Sequence, residues 1–221
     1  PQQAMIDMVM TAGYPGSDTW FSAELIPEEP NLPAIPTGRI NASTPQEVMN
    51  YLAKVKEYEN PSSEQLWRKH MLHLSGGLSP NELSLFRQLV DAYRTQAVGP
   101  ALGAFVTTVS KRSDQPVEIP GIAKTVNNGV GLVTFFGHSG LDVTDLDIGF
   151  CSNEALGYRN KGKYPLLLVN GCAIGNIFYG RPTLSTDWVL TADRGAIAAL
   201  AHSHLGTVDA LHQYTSTFYN L

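Results

Sequence analysis

Two apolar runs decide the fold of this chain: VGLVTFF at 130–136, followed by GHSG at 137–140, and PLLLVN at 165–170, followed by GCAIG at 171–175. Continuous runs of this length, rich in Val, Leu and Phe and bounded by Gly or Pro, are typical of central strands in a sheet covered on both faces. Such strands are normally parallel, and ligands of open parallel sheets bind beyond the carboxyl ends of the strands. We therefore expect His138 and Cys172 to lie at one crevice.

A His and a Cys at one crevice have a plain chemical use. A cysteine thiolate is a nucleophile, and an imidazole can lower the pKa of the thiol or protonate a leaving group. Spacing alone leaves open a structural alternative, because free Cys is often buried and Cys/His signals are specific to particular families. Four glycines flank the pair, and they allow tight turns and leave backbone N–H groups free to face an oxyanion: Gly137, Gly140, Gly171 and Gly175.

Composition is ordinary for one globular α/β domain of 221 residues, with 43% apolar and 16% charged residues. The formal charge is −5 and no run of Lys or Arg forms a patch, which disfavours nucleic acid and anionic membranes as partners. No apolar stretch is long enough to span a bilayer. Two cysteines do not make a disulfide framework, and we expect Cys151 to be a buried thiol.

The rest of the chain alternates predicted strands and helices, which favours a mostly parallel, doubly wound sheet. Two helices start at predicted capping boxes, Thr44 with Glu47 and Ser79 with Glu82. A Pro-rich stretch at 13–36 is predicted to be an irregular surface loop. The other predicted strands are 4–10, 71–75, 101–109 and 195–203, and the predicted helices are 45–59, 80–96, 120–128, part of 144–158, 185–191 and a last one from 207.

Several motifs in order resemble the gingipain family of cysteine peptidases, and within it the type IX secretion sortases. The resemblance covers nearly the whole chain. It implies a caspase-like α/β fold, a three-layer sandwich with a mostly parallel sheet and helices on both faces. The motifs are SDTWF at 17–21, PAIPTGRINA at 33–42, KEYE at 56–59, FGHSG at 136–140, YPLLLVNGC at 164–172 with Gly175 and Phe178 behind it, and RGAIA at 194–198.

Two positions depart from the family pattern. Ser139 stands directly after the His, where relatives usually have Gly, and it retains the backbone N–H that the position is expected to lend. Gly171 stands before the Cys, where relatives often have Ala. These departures concern the geometry of the turns rather than the chemistry.

The resemblance implies a role for each site residue. Cys172 attacks the scissile carbonyl, His138 protonates the leaving amine, and the backbone N–H groups of Cys172 and Ser139 hold the oxyanion. Glu82 falls near the place where a carboxylate orients the catalytic His in this family. The alternative for Glu82 is purely structural, because it is also the third residue of a predicted capping box.

The expected substrate is polypeptide, cleaved by an endopeptidase or a sortase-like transpeptidase. A substrate-binding pocket is predicted from Phe136, Asn170 and the loop 201–208, and it has no obvious acid at its floor. Asp91 is the nearest candidate, but it lies in a predicted helix that faces solvent. We therefore expect no strict requirement for Arg or Lys before the cleaved bond.

The resemblance also implies a setting. No cofactor is required, a structural calcium ion is compatible with the family, and the protein is expected to be secreted or held in the bacterial cell envelope. We expect residues 1–221 to be one peptidase domain of a longer protein with further domains. Tyr214, Phe218 and Tyr219 on the last helix are expected to be covered by the domain body or by a following module.

Three alternatives remain from the residues. Residues 137–140 are similar to the nucleophile elbow of α/β hydrolases, with Ser139 as nucleophile and Asp193 and His202 as partners, although the Gly required two residues after the Ser is Leu141. The chain could instead be an inactive peptidase-like scaffold that binds a partner. Finally, three histidines could suggest a metal, but without a further ligand at convincing spacing they are expected to be structural: His202, His204 and His212.

Overall fold

The computed structural model describes residues 11, 13–30, 32–60, 65–180 and 182–220. This part of the chain forms five strands and five α-helices, and the strand predicted at 4–10 lies outside it. The strands are β1 (His70–Ser75), β2 (Phe105–Ser110), β3 (Leu132–Phe136), β4 (Leu166–Asn170) and β5 (Ala198–Ala201). The helices are α1 (Pro45–Glu59), α2 (Pro80–Val98), α3 (Ala123–Asn128), α4 (Leu184–Leu190) and α5 (Val208–Tyr219).

The five strands form one sheet in the order β2-β1-β3-β4-β5, and every neighbouring pair is parallel. This confirms the predicted parallel sheet. The chain moves outward from β1 to β2 and then returns to place β3 on the other side of β1. A crevice opens beyond the carboxyl ends of the strands at such a reversal of strand order, between β1 and β3.

Apolar side chains of alternating residues enter two separate cores, one on each face of the sheet. Leu72, Val133 and Leu167 point to the face covered by α3 and α4. Leu132 and Leu168 point to the face covered by α2 and α5. The predicted helical layers on both faces are therefore confirmed.

Helix α1 packs on α4 and is held there by a buried lysine. Its N-terminus has the predicted capping box between Thr44 and Glu47. Lys54 is only 1% exposed, and its Nζ donates hydrogen bonds to the carbonyl oxygens of Trp188 (3.0 Å), Val189 (2.9 Å) and Ala196 (3.3 Å). Burial lowers the pKa of Lys54 to about 8. The amino group thus links the C-terminal end of α4 to the segment before β5, where the Trp188 carbonyl oxygen also accepts the Ala196 N–H.

The helix predicted within 144–158 is wrong. This crossover between β3 and β4 contains only one short 3-10 turn, Glu154–Leu156. The Asp147 side chain accepts hydrogen bonds from the backbone N–H groups of Thr144 (3.3 Å) and Gly149 (3.2 Å), which competes with helical hydrogen bonding. Gly149 also has a φ of +64°, which ends any right-handed helix there.

Other predicted elements differ mainly at their ends. Strand β2 starts four residues later than predicted, after Gly103 with a φ of +58°. Strand β5 is shorter than predicted, because the Ala196 N–H bonds to the Trp188 carbonyl oxygen (2.7 Å) before the chain joins the sheet. The described residues of the stretch 13–36 are irregular as predicted, with a 3-10 turn at Thr19–Phe21. Within the described ranges, no helix has the length and apolar character to cross a membrane.

Candidate active site

The three residues to which the sequence assigned catalytic roles follow the ends of three adjacent strands. Glu82 lies in the first turn of α2, directly after the β1 loop, His138 follows β3, and Cys172 follows β4. Phe136 and Asn170 are paired across β3 and β4, so His138 and Cys172 each lie two residues beyond a matched pair. The sheet therefore places the imidazole and the thiol on neighbouring strands at the same edge.

His138 and Glu82 form an ion-pair contact. His138 Nε2 lies 3.2 Å from Glu82 Oε1, and the two side chains are 43% and 35% exposed. The ring N–H is not aligned for a hydrogen bond in this conformation, so the contact is electrostatic and strengthens when the imidazole is protonated. The ring of Phe86 packs beside the imidazole, with 5.8 Å between ring centroids.

Glu82 contacts His138 and also holds the start of α2, although its carboxylate accepts the Leu78 N–H and not the Ser79 N–H of the predicted capping box. Its Oε2 accepts a hydrogen bond from the Leu78 N–H (2.8 Å), while the Ser79 hydroxyl caps the Glu82 N–H (3.3 Å). Partial burial acts to raise the pKa of Glu82, but the Leu78 N–H and His138 outweigh it and hold the pKa below its usual range. The carboxylate is therefore ionised at neutral pH, as an orienting partner of an imidazolium must be.

Cys172 lies in a loop that is held by backbone hydrogen bonds to the chain after β5. Its side chain is half-buried, and Sγ lies 3.9 Å from the Gly206 carbonyl oxygen. The N–H groups of Ala173 and Gly175 donate to the carbonyl oxygens of His204 and His202, each at 2.9 Å. No sequence pattern predicts this arrangement, because backbone contacts of this kind depend little on side-chain identity.

Two backbone N–H groups are available to bind an oxyanion. The N–H groups of Ser139 and Cys172 donate no hydrogen bond to any residue that the structure describes. Their neighbours are occupied, because Gly140 donates to the Val143 carbonyl oxygen and Ala173 to that of His204. These two groups are the ones predicted as oxyanion donors, and they lie in the loops that follow β3 and β4.

The predicted substrate contacts of Phe136 and Asn170 do not agree with their placement. Phe136 is 1% exposed and packs edge-on against Phe86, with 5.2 Å between ring centroids. Asn170 is fully buried, and its Nδ2 donates to the Phe135 carbonyl oxygen (3.1 Å). Both side chains thus hold the strand ends from inside, and substrate would have to meet other groups.

Two other expectations about the pocket fit the structure. The loop 201–208 borders the thiol through the Gly206 carbonyl oxygen. Asp91 is exposed on α2, as expected for a helix position facing solvent.

Asp145 is a buried residue of the site that the sequence analysis missed. It is 4% exposed, its Oδ2 accepts the Gly77 N–H (2.6 Å), and its own N–H donates to the His138 carbonyl oxygen (2.9 Å). Burial raises the pKa of Asp145. Asp145 therefore joins the loop after β1 to the loop after β3. Nothing in the sequence distinguishes it from the neighbouring aspartates at 142 and 147.

The alternative chemistries find less support. The Ser139 hydroxyl donates to the Cys172 carbonyl oxygen (2.8 Å). Its supposed partners lie in other contacts, because Asp193 pairs with Lys161 (2.7 Å) and the His202 ring packs against Tyr214 (5.9 Å between centroids). The Ser139 hydroxyl thus hydrogen-bonds to no base among the described residues, although a serine nucleophile needs such a contact.

The metal interpretation gains no support either. Across the described part of the chain, no group of three or more His, Cys, Asp or Glu side chains could hold a metal ion. His212 instead hydrogen-bonds to the Tyr93 hydroxyl (2.8 Å). Cys151 is fully buried as predicted, and burial raises the pKa of its thiol.

The parallel sheet places the chain in the class of α/β proteins, and a Cys and a His beyond adjacent strand ends are compatible with a cysteine peptidase. The profile of peptidase family C25 matches residues 1–221. The chain therefore belongs to peptidase family C25, the gingipain family of cysteine peptidases.

Solved structures agree on the fold. The complex of Porphyromonas gingivalis RgpB pro- and mature domains superposes with a TM-score of 0.76 at 15% identity, covering 95% of this chain and 50% of that one. The Arg-specific cysteine proteinase gingipain R gives 0.69 at 16% identity, covering 83% and 43%. A structure described only as a protease gives 0.66 at 21% identity, covering 87% and 41%.

These likenesses establish the caspase-like fold. The chain spans half or less of the length of the solved structures that it matches. A search of curated proteins found no match.

Proposed function

We propose that this chain cleaves polypeptide through a Cys172 thiolate assisted by His138. The thiol proton passes to the imidazole, and Sγ attacks the scissile carbonyl carbon to form a tetrahedral oxyanion. Collapse of this intermediate breaks the C–N bond and leaves a thioester on Cys172, while the imidazolium returns the proton to the leaving amine. Water then attacks the thioester and releases the acid.

The free N–H groups of Ser139 and Cys172 are the observation that carries this proposal. Donors that already point at the position of the developing charge cost no reorganisation during the reaction, and they are typically worth two to three powers of ten in rate. Glu82 contributes by stabilising the imidazolium, since its carboxylate lies 3.2 Å from His138 Nε2. Because Nε2 faces Glu82, Nδ1 is left to exchange the proton with the thiol and the leaving amine.

The fate of the thioester separates a peptidase from a transpeptidase. If an amine rather than water attacks the thioester, the product is a new amide bond, as in a sortase. The likeness of the sequence motifs to the type IX secretion sortases favours this second outcome. It also favours a secreted or cell-envelope setting and further domains in the same protein.

Hydrolysis of an unstructured protein such as casein tests the proposal. The wild type should release peptides, and Cys172→Ala and His138→Ala should each lower the rate by at least about two powers of ten. Cys151→Ala is the matched control, because this buried thiol lies outside the site, and it should retain most of the activity. Equal rates in wild type and Cys172→Ala would overturn the assignment, and a wild type without any activity would favour the inactive scaffold.

Residue preference at the cleaved bond is the second part of the proposal. Asp91 is exposed on α2 rather than placed beneath the thiol, which supports the absence of a strict requirement for a basic residue. Gingipain R is described as Arg-specific, so the two proteins would differ in this respect. A positional-scanning peptide library should show turnover with several residue types before the bond. Overwhelming preference for Arg or Lys would contradict this prediction.

A further inference from the structure

Ser139 and Gly171 fill the same small space between the two catalytic loops. A Cβ atom built on Gly171 would lie 2.2 Å from Ser139 Oγ and 2.9 Å from Ser139 Cβ, which is far inside van der Waals contact. Gly171 has an ordinary backbone conformation rather than a positive φ. The Ser139 side chain is therefore the main reason for glycine at 171, and the Gly137 carbonyl oxygen, 3.2 Å from the same Cβ position, is a milder second contact.

The Ser139 hydroxyl makes one contact that bears directly on the nucleophile. It donates to the Cys172 carbonyl oxygen at 2.8 Å. The other side of the same peptide group is also held, since the Ala173 N–H donates to the His204 carbonyl oxygen at 2.9 Å. The peptide plane that follows the nucleophile is thus fixed from both ends.

That fixed plane carries backbone strain. Ala173 has a φ of +56°, a left-handed conformation that costs a non-glycine residue about 1 kcal/mol or more. Strain of this kind persists only where the surrounding contacts determine the conformation. The two hydrogen bonds on the Cys172–Ala173 peptide group are such contacts, and the strained turn aims the Cys172 side chain and its N–H.

We propose that Ser139 is a positioning residue for the nucleophile, and that Ser139 and Gly171 form a matched pair in which the hydroxyl occupies the space of a Cβ at 171. The proposal rests on the proposed peptidase function, and it assigns to the Ser139 side chain a role separate from its backbone N–H. The side chain acts through the Cys172 carbonyl and does not touch substrate.

A double-mutant cycle tests the pair. Gly171→Ala alone should lower kcat by more than tenfold, because the new methyl displaces Ser139 and turns the Cys172 peptide. Ser139→Gly alone should lower kcat by about three- to tenfold, the loss expected for one hydrogen bond. In the Ser139→Gly background, Gly171→Ala should cost much less than in the wild type, since only the milder contact with the Gly137 carbonyl oxygen at 3.2 Å remains. Additive losses would overturn the pairing.

Ser139→Ala tests the positioning role. It keeps the backbone N–H and should lower kcat with KM unchanged within about twofold. A change in the free energy of unfolding with kcat unchanged would show that the hydroxyl is merely structural and would overturn the role. Gly121→Ala is the matched control for a Gly-to-Ala change, because the space around Gly121 is open and its φ is not positive, and it should behave like the wild type.

The rate at which iodoacetamide alkylates Cys172 gives a readout that does not depend on hydrolysis. The cycle should show the same coupling in this rate. If the wild type does not hydrolyse peptides, the proposed function fails, while coupling or additivity in the alkylation rates still decides the pairing of Ser139 with Gly171.

Discussion

Glu82 makes one contact at the start of α2 and another with His138, and each contact uses a different carboxylate oxygen. Oε2 accepts the Leu78 N–H, and Oε1 faces His138. A glutamine at this position can still accept the Leu78 N–H, but it carries no charge for the imidazolium. The substitution Glu82→Gln therefore tests the electrostatic role while sparing most of the cap.

We predict that Glu82→Gln lowers kcat by about tenfold or more and changes the free energy of unfolding by less than about 1 kcal/mol. Glu47→Gln is the matched control, because Glu47 is the third residue of the capping box of α1 and lies in no catalytic contact. It should change stability by a similar amount and leave kcat unaffected. If both substitutions leave peptide hydrolysis unchanged, Glu82 has only a structural role.

The limits of prediction at the residue scale follow from how each residue acts. The placement of His138 and Cys172 could be predicted because each follows a recognisable apolar strand, whereas a role for Glu82 was implied by the family resemblance. Asp145 acts through the Gly77 N–H, and the link between Ser139 and Gly171 is a matter of shared space. Such contacts join segments distant in sequence, so no local pattern predicts them.

At the scale of elements, α5 is tied to the centre of the sheet by a buried polar chain. The Tyr219 hydroxyl lies 2.7 Å from His73 Nε2 and 2.6 Å from Thr134 Oγ1. All three residues are 5% exposed or less. Burial lowers the pKa of His73 to about 4, so the folded state strongly favours the neutral imidazole.

This arrangement predicts loss of stability in acid. The unfolded chain takes up a proton at His73 near its ordinary pKa of 6.5, whereas the folded chain does so only near 4. The stabilisation that depends on a neutral His73 is complete above pH 6.5. It is lost as pH falls toward 4, and the total loss is about 3 kcal/mol. Urea unfolding of the wild type and His73→Gln at pH 7.5 and 4.5 should show an extra acid loss in the wild type only.

His70→Gln provides the control, because His70 lies at the exposed start of the same strand. This variant should lose stability in acid as the wild type does. Equal acid losses in the wild type and His73→Gln would contradict the prediction and would point to carboxyl groups instead.

Elements were predictable where the sequence pattern is local. The strands beside the site are continuous apolar runs, and α1 and α2 start at Ser or Thr followed by Pro and, three residues after the cap, Glu. The prediction of a helix within 144–158 failed because buried Leu146 and Ile148 can belong equally to a helix or to an irregular crossover. Hydrogen bonds from the Asp147 side chain to nearby backbone decided the outcome.

At the scale of the whole molecule, two apolar cores cover the two faces of the sheet, and the candidate site lies at its carboxyl edge. An apolar strip on α5 lies at the surface along a groove. Tyr219 is buried there, but Tyr214 is 44% exposed. The groove residues are Ala210, Gln213, Tyr214, Thr217 and Phe218. The expectation that a further module covers this strip stays a prediction.

The fold distinguishes the two cysteines, because one thiol lies at the carboxyl edge of the sheet and the other is buried. Cys172 is half-buried beside two free N–H groups, whereas Cys151 is fully buried. A substrate-like electrophile should therefore distinguish the two cysteines by much more than their solvent exposure. We expect the reaction of such an electrophile to depend on the oxyanion donors and His138 as well as on the thiol.

The most direct measurement is covalent labelling by a peptidyl acyloxymethyl ketone, followed by peptide mapping with mass spectrometry. We predict one adduct per chain, located on Cys172, formed much more slowly in His138→Ala and absent in Cys172→Ala. Labelling that continues unchanged in Cys172→Ala, or that is found on Cys151, would contradict the account. Reaction of Ser139 with a fluorophosphonate instead would show that the nucleophile is a serine.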